Sequence, residues 1–106
     1  MKPRKAQRFG LRFRIFFSGG TLEGEGTVTD ISKTGCKVEC DTEVRPGTDL
    51  ELHVFMPDHN WPMKVELATV RWVRGRTFGL EFTKLRPTER ERLRRFTANL
   101  ELGRGH

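Results

Sequence analysis

The segment LRFRIFF sets the first pattern: Leu11, Phe13, Ile15 and Phe17 alternate with Arg12, Arg14 and Phe16. A period of two predicts a strand with one face buried. Ser18, Gly19 and Gly20 break it. GEGTVTDIS predicts a second, short strand around Thr27–Thr29, and CKVEC, after Gly35, predicts a third with Cys36, Val38 and Cys40 on one face. Adjacent Pro46 and Gly47 mark a turn. LELHVFM then alternates again, with Leu50, Leu52, Val54 and Met56 inward.

The next run, MKVELATVRWV, keeps Met63, Val65 and Leu67 in phase but resumes at Val70 and Trp72. That offset predicts a β-bulge near Ala68 and Thr69, of the kind that bends a strand around a barrel corner. After the turn RGR, Phe78, Leu80 and Phe82 close the series. Short antiparallel strands separated by turn signals predict an all-β domain, a small barrel or sandwich. One helix follows: Thr88 and Glu91 read as a T-x-x-E capping box just after Pro87, and Leu93, Phe96 and Leu100 recur at helical spacing with Arg90 and Arg94 opposite. The expected division is a flexible basic arm over 1–9, a barrel over 10–86 and an amphipathic helix over 87–102.

At 106 residues the chain has room for one small core. No apolar run is long enough to span a bilayer, and no signal-peptide pattern is present, so a cytoplasmic location is expected. Cys36 and Cys40 fit that location as free thiols packed in the core; with His53 or His59 they match no common zinc spacing, so no metal and no cofactor is expected. Catalysis is not expected either. His53 falls on the outer face of a strand, His59 lies in the loop PDHNWP, and neither is spaced to activate a nucleophile. GEG at 24–26 is too short for a phosphate loop. Trp61 and Trp72 read as core or rim residues.

Charge narrows the partners. The net charge is +6, and Lys2, Arg4, Lys5, Arg8, Arg12 and Arg14 all precede the first acid, Glu23. Such an arm attracts phosphate, in nucleic acid, on a membrane or in a small ligand. The other distinctive segment is DISKTG, where Asp30, Ser32 and Gly35 suit either a tight turn or a ligand site.

Taken together, R-x-x-x-R at Arg4 and Arg8, D-x-S-x-x-G at Asp30, Ser32 and Gly35, a six-strand pattern, the hairpin VRWVRGRTFGLEF and a terminal helix resemble the PilZ family. The resemblance implies a six-stranded antiparallel β-barrel and a non-catalytic receptor for the bacterial second messenger cyclic di-GMP. It implies Arg4 and Arg8 as guanidinium forks for phosphate or guanine, and Asp30 as acceptor for guanine donors. Ser32 would bond phosphate or brace the loop, and Gly35 would allow close backbone approach or positive φ. Lys2, Lys5, Arg12 and Lys33 would add general attraction without contact.

Binding is expected to order the arm over the turn and create a surface for a downstream protein. Pro3 would influence how many ligand molecules bind, and the protein is expected to be a monomer or a weak dimer through the helix. Two other readings remain open: a basic barrel that binds nucleic acid, with Phe16 and Phe55 exposed, and a PilZ-like adaptor that docks partners without ligand. Clustering of the charges in one arm and one helix face weighs against nucleic acid.

Overall fold

In the computed structural model, which describes residues 12–104, each predicted alternation becomes a strand. The elements are β1 (Phe13–Gly19), β2 (Leu22–Ile31), β3 (Gly35–Glu39), β4 (Asp49–Val54), β5 (Met63–Arg74), β6 (Thr77–Lys84) and α1 (Pro87–Arg104). The strands close in the order β1-β2-β3-β6-β5-β4, with every neighbouring pair antiparallel and β1 against β4 completing the barrel. Closure removes the unpaired edges that an open sheet of this size would expose.

Two hairpins share one turn chemistry. Gly19 pairs Leu22 and Arg74 pairs Thr77, leaving two-residue loops in which Gly20 (φ 59°) and Gly75 (φ 64°) take the first central position. A left-handed residue there and not at the second position is the II′ arrangement, whose twist matches that of the flanking strands.

Inside lie Ile15, Phe17, Val28, Val38, Leu50, Leu52, Val54, Met63, Val65, Val70, Phe78 and Leu80 among others, contributed by all six strands. Phe17 and Phe78 meet edge to face at the centre, 5.6 Å between centroids. Burying such side chains contributes about 1.5–3 kcal/mol each against chain entropy.

Three expectations change. The second strand is not short: β2 runs over 10 residues, because Glu23, Glu25 and the intervening glycines pair with β1 along its length. The phase of β5 shifts one residue earlier than expected, between Leu67 and Ala68, so that Ala68 and Val70 face the core and Leu67 is 36% exposed. A second shift, at Arg71, turns Trp72 out of the barrel as well.

The helix also begins differently. Pro87 is its first residue and the Arg86 carbonyl accepts the first intrahelical bond, from the Arg90 N–H at 2.9 Å, so Thr88 is not the cap. Proline suits that first position because its missing donor is not needed there. Glu91 bonds Arg94 and Arg95 instead, and these hydrogen bonds lower its carboxyl pKa to about 2. The apolar stripe is as expected: Leu93 and Phe96 are buried on the barrel, and Phe96 meets Phe13 edge to face at 5.9 Å. No helix among the described residues is long and apolar enough to cross a membrane.

Candidate functional site

The DISKTG segment forms the link between β2 and β3. The Ser32 N–H donates to the Gly35 carbonyl at 2.9 Å, and the Thr34 N–H donates to Ser32 Oγ at 3.2 Å. Ser32 is therefore the brace of the turn, a local side-chain bond that substitutes for a backbone one. From β6 the Phe82 N–H reaches the Thr34 carbonyl at 2.8 Å, which fixes the turn to the barrel wall.

Gly35 has an ordinary negative φ, contrary to one of the two roles expected for it. Its need is steric: a Cβ here would fall on the Leu80 carbonyl oxygen of the neighbouring strand. Glycine lets β3 lie against β6 at this point, as a close backbone approach demands.

Two bulges shape the wall around the turn. In β2, Val28 pairs Val38 and Asp30 pairs Lys37, so Thr29 is the inserted residue. Val28 and Ile31 consequently both face the core, three positions apart. In β5, Val70 pairs Leu80 and Trp72 pairs Gly79, so Arg71 is inserted. Simple alternation would have sent Trp72 inward with Val70; the insertion sends it outward beside Arg71. Bulges re-aim side chains in this way.

The result is an open cleft of about 390 Å³ whose wall includes Asp30, Ser32, Gly35, Lys37, Arg71 and Trp72. Trp72 is 39% exposed and lies over Gly79, where a Cβ would overlap the indole. The Arg74 guanidinium stands 5.7 Å from the indole centroid. Arg71 Nε donates to Glu81 Oε1 at 2.5 Å at the border of the cleft. Among the described residues the cleft thus combines one carboxylate, two cations and an aromatic plane. That set fits a planar, hydrogen-bonding, anionic molecule.

Beneath it lies Cys36, whose thiol is pushed up to about 12 by burial and, secondarily, by the negative charge of Asp30. A thiol so disposed stays protonated and is not a nucleophile. His59 does not line the cleft and stacks on Trp61, 4.4 Å between centroids and 7° between planes. No group of three or more metal-ligating side chains occurs among the described residues.

A larger concavity of about 740 Å³ runs past Arg14, Glu25, Glu39, Asp41 and Arg76. There Arg14 bonds Glu25 at 3.2 Å, and Arg76 bonds Asp41. Three carboxylates there oppose two guanidinium groups, so an anion gains less than in the smaller cleft. Arg12, expected to act only through general attraction, bonds Glu39 at 3.1 Å.

Of the five residues expected from the sequence, the structure brings Asp30, Ser32 and Gly35 together; Arg4 and Arg8 lie outside the described residues. Sequence reasoning missed Lys37 and Arg71 and did not place Trp72 at a site. The readable signal was the small residue Gly79 across from an aromatic in a hairpin, a pattern that means close packing over the glycine.

No curated protein sequence matches the chain. Among solved structures, the Bacillus subtilis inhibitor of motility MotI/DgrA aligns with a TM-score of 0.75 at 17% identity, over 97% of this chain and 53% of that one. This chain therefore spans about half the length of that protein. The PilZ domain of CeSA from a cellulose-synthesizing bacterium aligns with a TM-score of 0.66 at 12% identity, over 88% of this chain and 96% of that one. At such identities the likeness concerns the fold, a barrel of the same design. The sequence profile of the PilZ domain matches residues 2–99, from the arginine arm through the D-x-S-x-x-G turn to the helix, and on that match the chain belongs to the PilZ domain family.

Proposed function

We propose that this protein is a non-catalytic receptor for cyclic di-GMP, acting in the bacterial cytoplasm and passing the signal to a partner protein. The family is one of cyclic di-GMP receptors and adaptors. The observation that carries the reading is the convergence of Asp30, Ser32, Lys37, Arg71 and Trp72 on one cleft at the D-x-S-x-x-G turn.

The chemistry of the ligand matches that set. Asp30 accepts from the Watson–Crick donors of a guanine, and Trp72 offers its face to the base. The two phosphodiester charges are met by Arg4 and Arg8, which arrive with the N-terminal arm as bidentate forks. Ser32 holds the turn in shape. Residues 1–9 close over the bound ligand, and the resulting surface is read by the partner; no bond is made or broken.

One observation favours nucleic acid instead: Phe16 and Phe55 form an outward aromatic pair, 5.2 Å between centroids, with Arg14 over both rings. Glu23 and Glu25 line the adjoining groove, however, and Glu25 already pairs with Arg14. Carboxylates beside the aromatic pair repel a phosphate backbone, which leaves the cyclic dinucleotide as the better ligand.

Calorimetric titration with cyclic di-GMP, with GMP and cyclic di-AMP as controls, tests the reading. The expected result is saturable, guanine-selective binding that Arg8→Ala and Asp30→Ala each lose. A folded protein that gives no saturable heat with cyclic di-GMP overturns it.

A further inference from the structure

This inference rests on the receptor reading and concerns how the same site sets its affinity. Arg71 is the inserted residue of the β5 bulge, so its position answers to no cross-strand partner in the ladder. The bulge places it next to Trp72 on the wall of the cleft, a cation and an aromatic plane side by side. Yet its Nε is engaged by Glu81, at 2.5 Å. Glu81 stands across from Gly35, so the pair sits at the edge of the Asp-Ser-Gly turn.

The Arg71 and Glu81 side chains are 56% and 48% exposed. An ion pair in that setting biases an equilibrium by no more than about fivefold. Glu81 holds Arg71 through one bond, from Nε, and leaves the rest of the guanidinium fork available, so a phosphodiester that accepts two parallel bonds from the fork competes for it inside the cleft. While Glu81 holds Arg71, the only other cation on the wall among the described residues is Lys37, cross-strand from Asp30.

We propose that Arg71 is a phosphate-binding residue of the cleft, held by Glu81 in the free protein and transferred to a ligand phosphate on binding. Glu81 thereby acts as an internal competitor that keeps the affinity below what the site could reach. Exchange of one anion for another moves no atoms through a covalent step; the guanidinium keeps its charge throughout and only its partner changes.

Titration of the full chain with cyclic di-GMP, comparing wild type with Arg71→Ala, Glu81→Gln and the double variant, tests this. Loss of the phosphate contact in Arg71→Ala weakens binding about tenfold. Release of Arg71 in Glu81→Gln tightens it about two- to fivefold, and that gain disappears in the double variant. Melting by circular dichroism checks that all four remain folded. If Asp30→Ala loses binding while Arg71→Ala and Glu81→Gln bind as wild type does, the transfer is wrong and the receptor reading stands. A Glu81→Gln gain that persists without Arg71, or a Glu81→Gln loss, also overturns the transfer. Absence of saturable binding in the folded wild type overturns the receptor reading and the transfer with it.

Discussion

Trp72 lies so close over Gly79 that a Cβ at position 79 would overlap the indole ring. The two residues are paired across β5 and β6, and the glycine is what lets the indole lie against the outer wall. The Gly79→Ala substitution should push the indole away from that wall, with a stability cost of about 1–2 kcal/mol because the displaced group is a partly exposed side chain. In a Trp61→Phe background, Trp72 emission should shift to the red and cyclic di-GMP binding should weaken. Unchanged emission would show that Trp72 does not depend on the glycine.

Gly35 gives a contrasting case. Its hypothetical Cβ meets the Leu80 carbonyl oxygen, which is backbone in the middle of a paired ladder and cannot rotate aside. Gly35→Ala should therefore destabilise the protein by about 2–3 kcal/mol. Urea unfolding should show a lower midpoint with an unchanged slope. A midpoint equal to that of wild type would mean that β3 and β6 can separate locally at no cost.

For the ligand itself, Trp72→Ala should weaken cyclic di-GMP binding about tenfold or more, the scale of one base stacked on an aromatic. Trp72→Phe should recover part of the loss. Asp30→Ala should lose saturable binding of cyclic di-GMP, its response falling to the level that cyclic di-AMP gives with wild type. These effects should come with little change in melting temperature, since Trp72 is partly exposed and contributes little to the core.

The barrel was legible because strand alternation survives in Ile15 and Phe17, in Leu50, Leu52 and Val54, and in Phe78, Leu80 and Phe82, all inward as the pattern demanded. The bulges at Thr29 and Arg71 were not. A one-residue insertion leaves only a phase break: the one near Ala68 was readable, though placed a residue late because Leu67, apolar, faces out while Ala68, small, faces in, whereas the apparent alternation of Val70 and Trp72 concealed the insertion at Arg71. The cleft inherited that difficulty: Asp30, Ser32 and Gly35 are close in sequence and were read as a unit, but Lys37, Arg71 and Trp72 reach it only through strand pairing. Arg92 shows the same limit. Its helical position gave no hint of burial, because its partners Asp58 and Trp61 lie in the β4–β5 loop, more than thirty residues away.

That buried arginine leads to a pH prediction. Arg92 donates to both Asp58 oxygens, at 3.1 and 2.8 Å, and to the Trp61 carbonyl at 2.8 Å, and so ties the β4–β5 loop to α1. The side chains are 8% and 24% exposed, which makes this pair the most sheltered among those described. Burial alone would raise the Asp58 pKa, but the hydrogen bonds and charge of Arg92, with His59 nearby, outweigh it and leave the carboxyl below its ordinary value. A carboxylate with a lowered folded-state pKa stabilises the fold above the ordinary aspartate value of about 3.9, and that contribution is lost as pH falls through the folded value. Asp58→Asn should therefore be less stable than wild type near neutral pH, by about 1–2 kcal/mol once the partial exposure is discounted. The difference between the two proteins should narrow as the pH is lowered below about 4. Arg92→Met, which keeps the apolar stem, should behave in the same way, because it leaves Asp58 without its counter-charge. Thermal unfolding of the three proteins between neutral and acidic pH measures this directly; a difference that stayed constant with pH would assign the stabilisation to packing of the loop and not to the ionised pair.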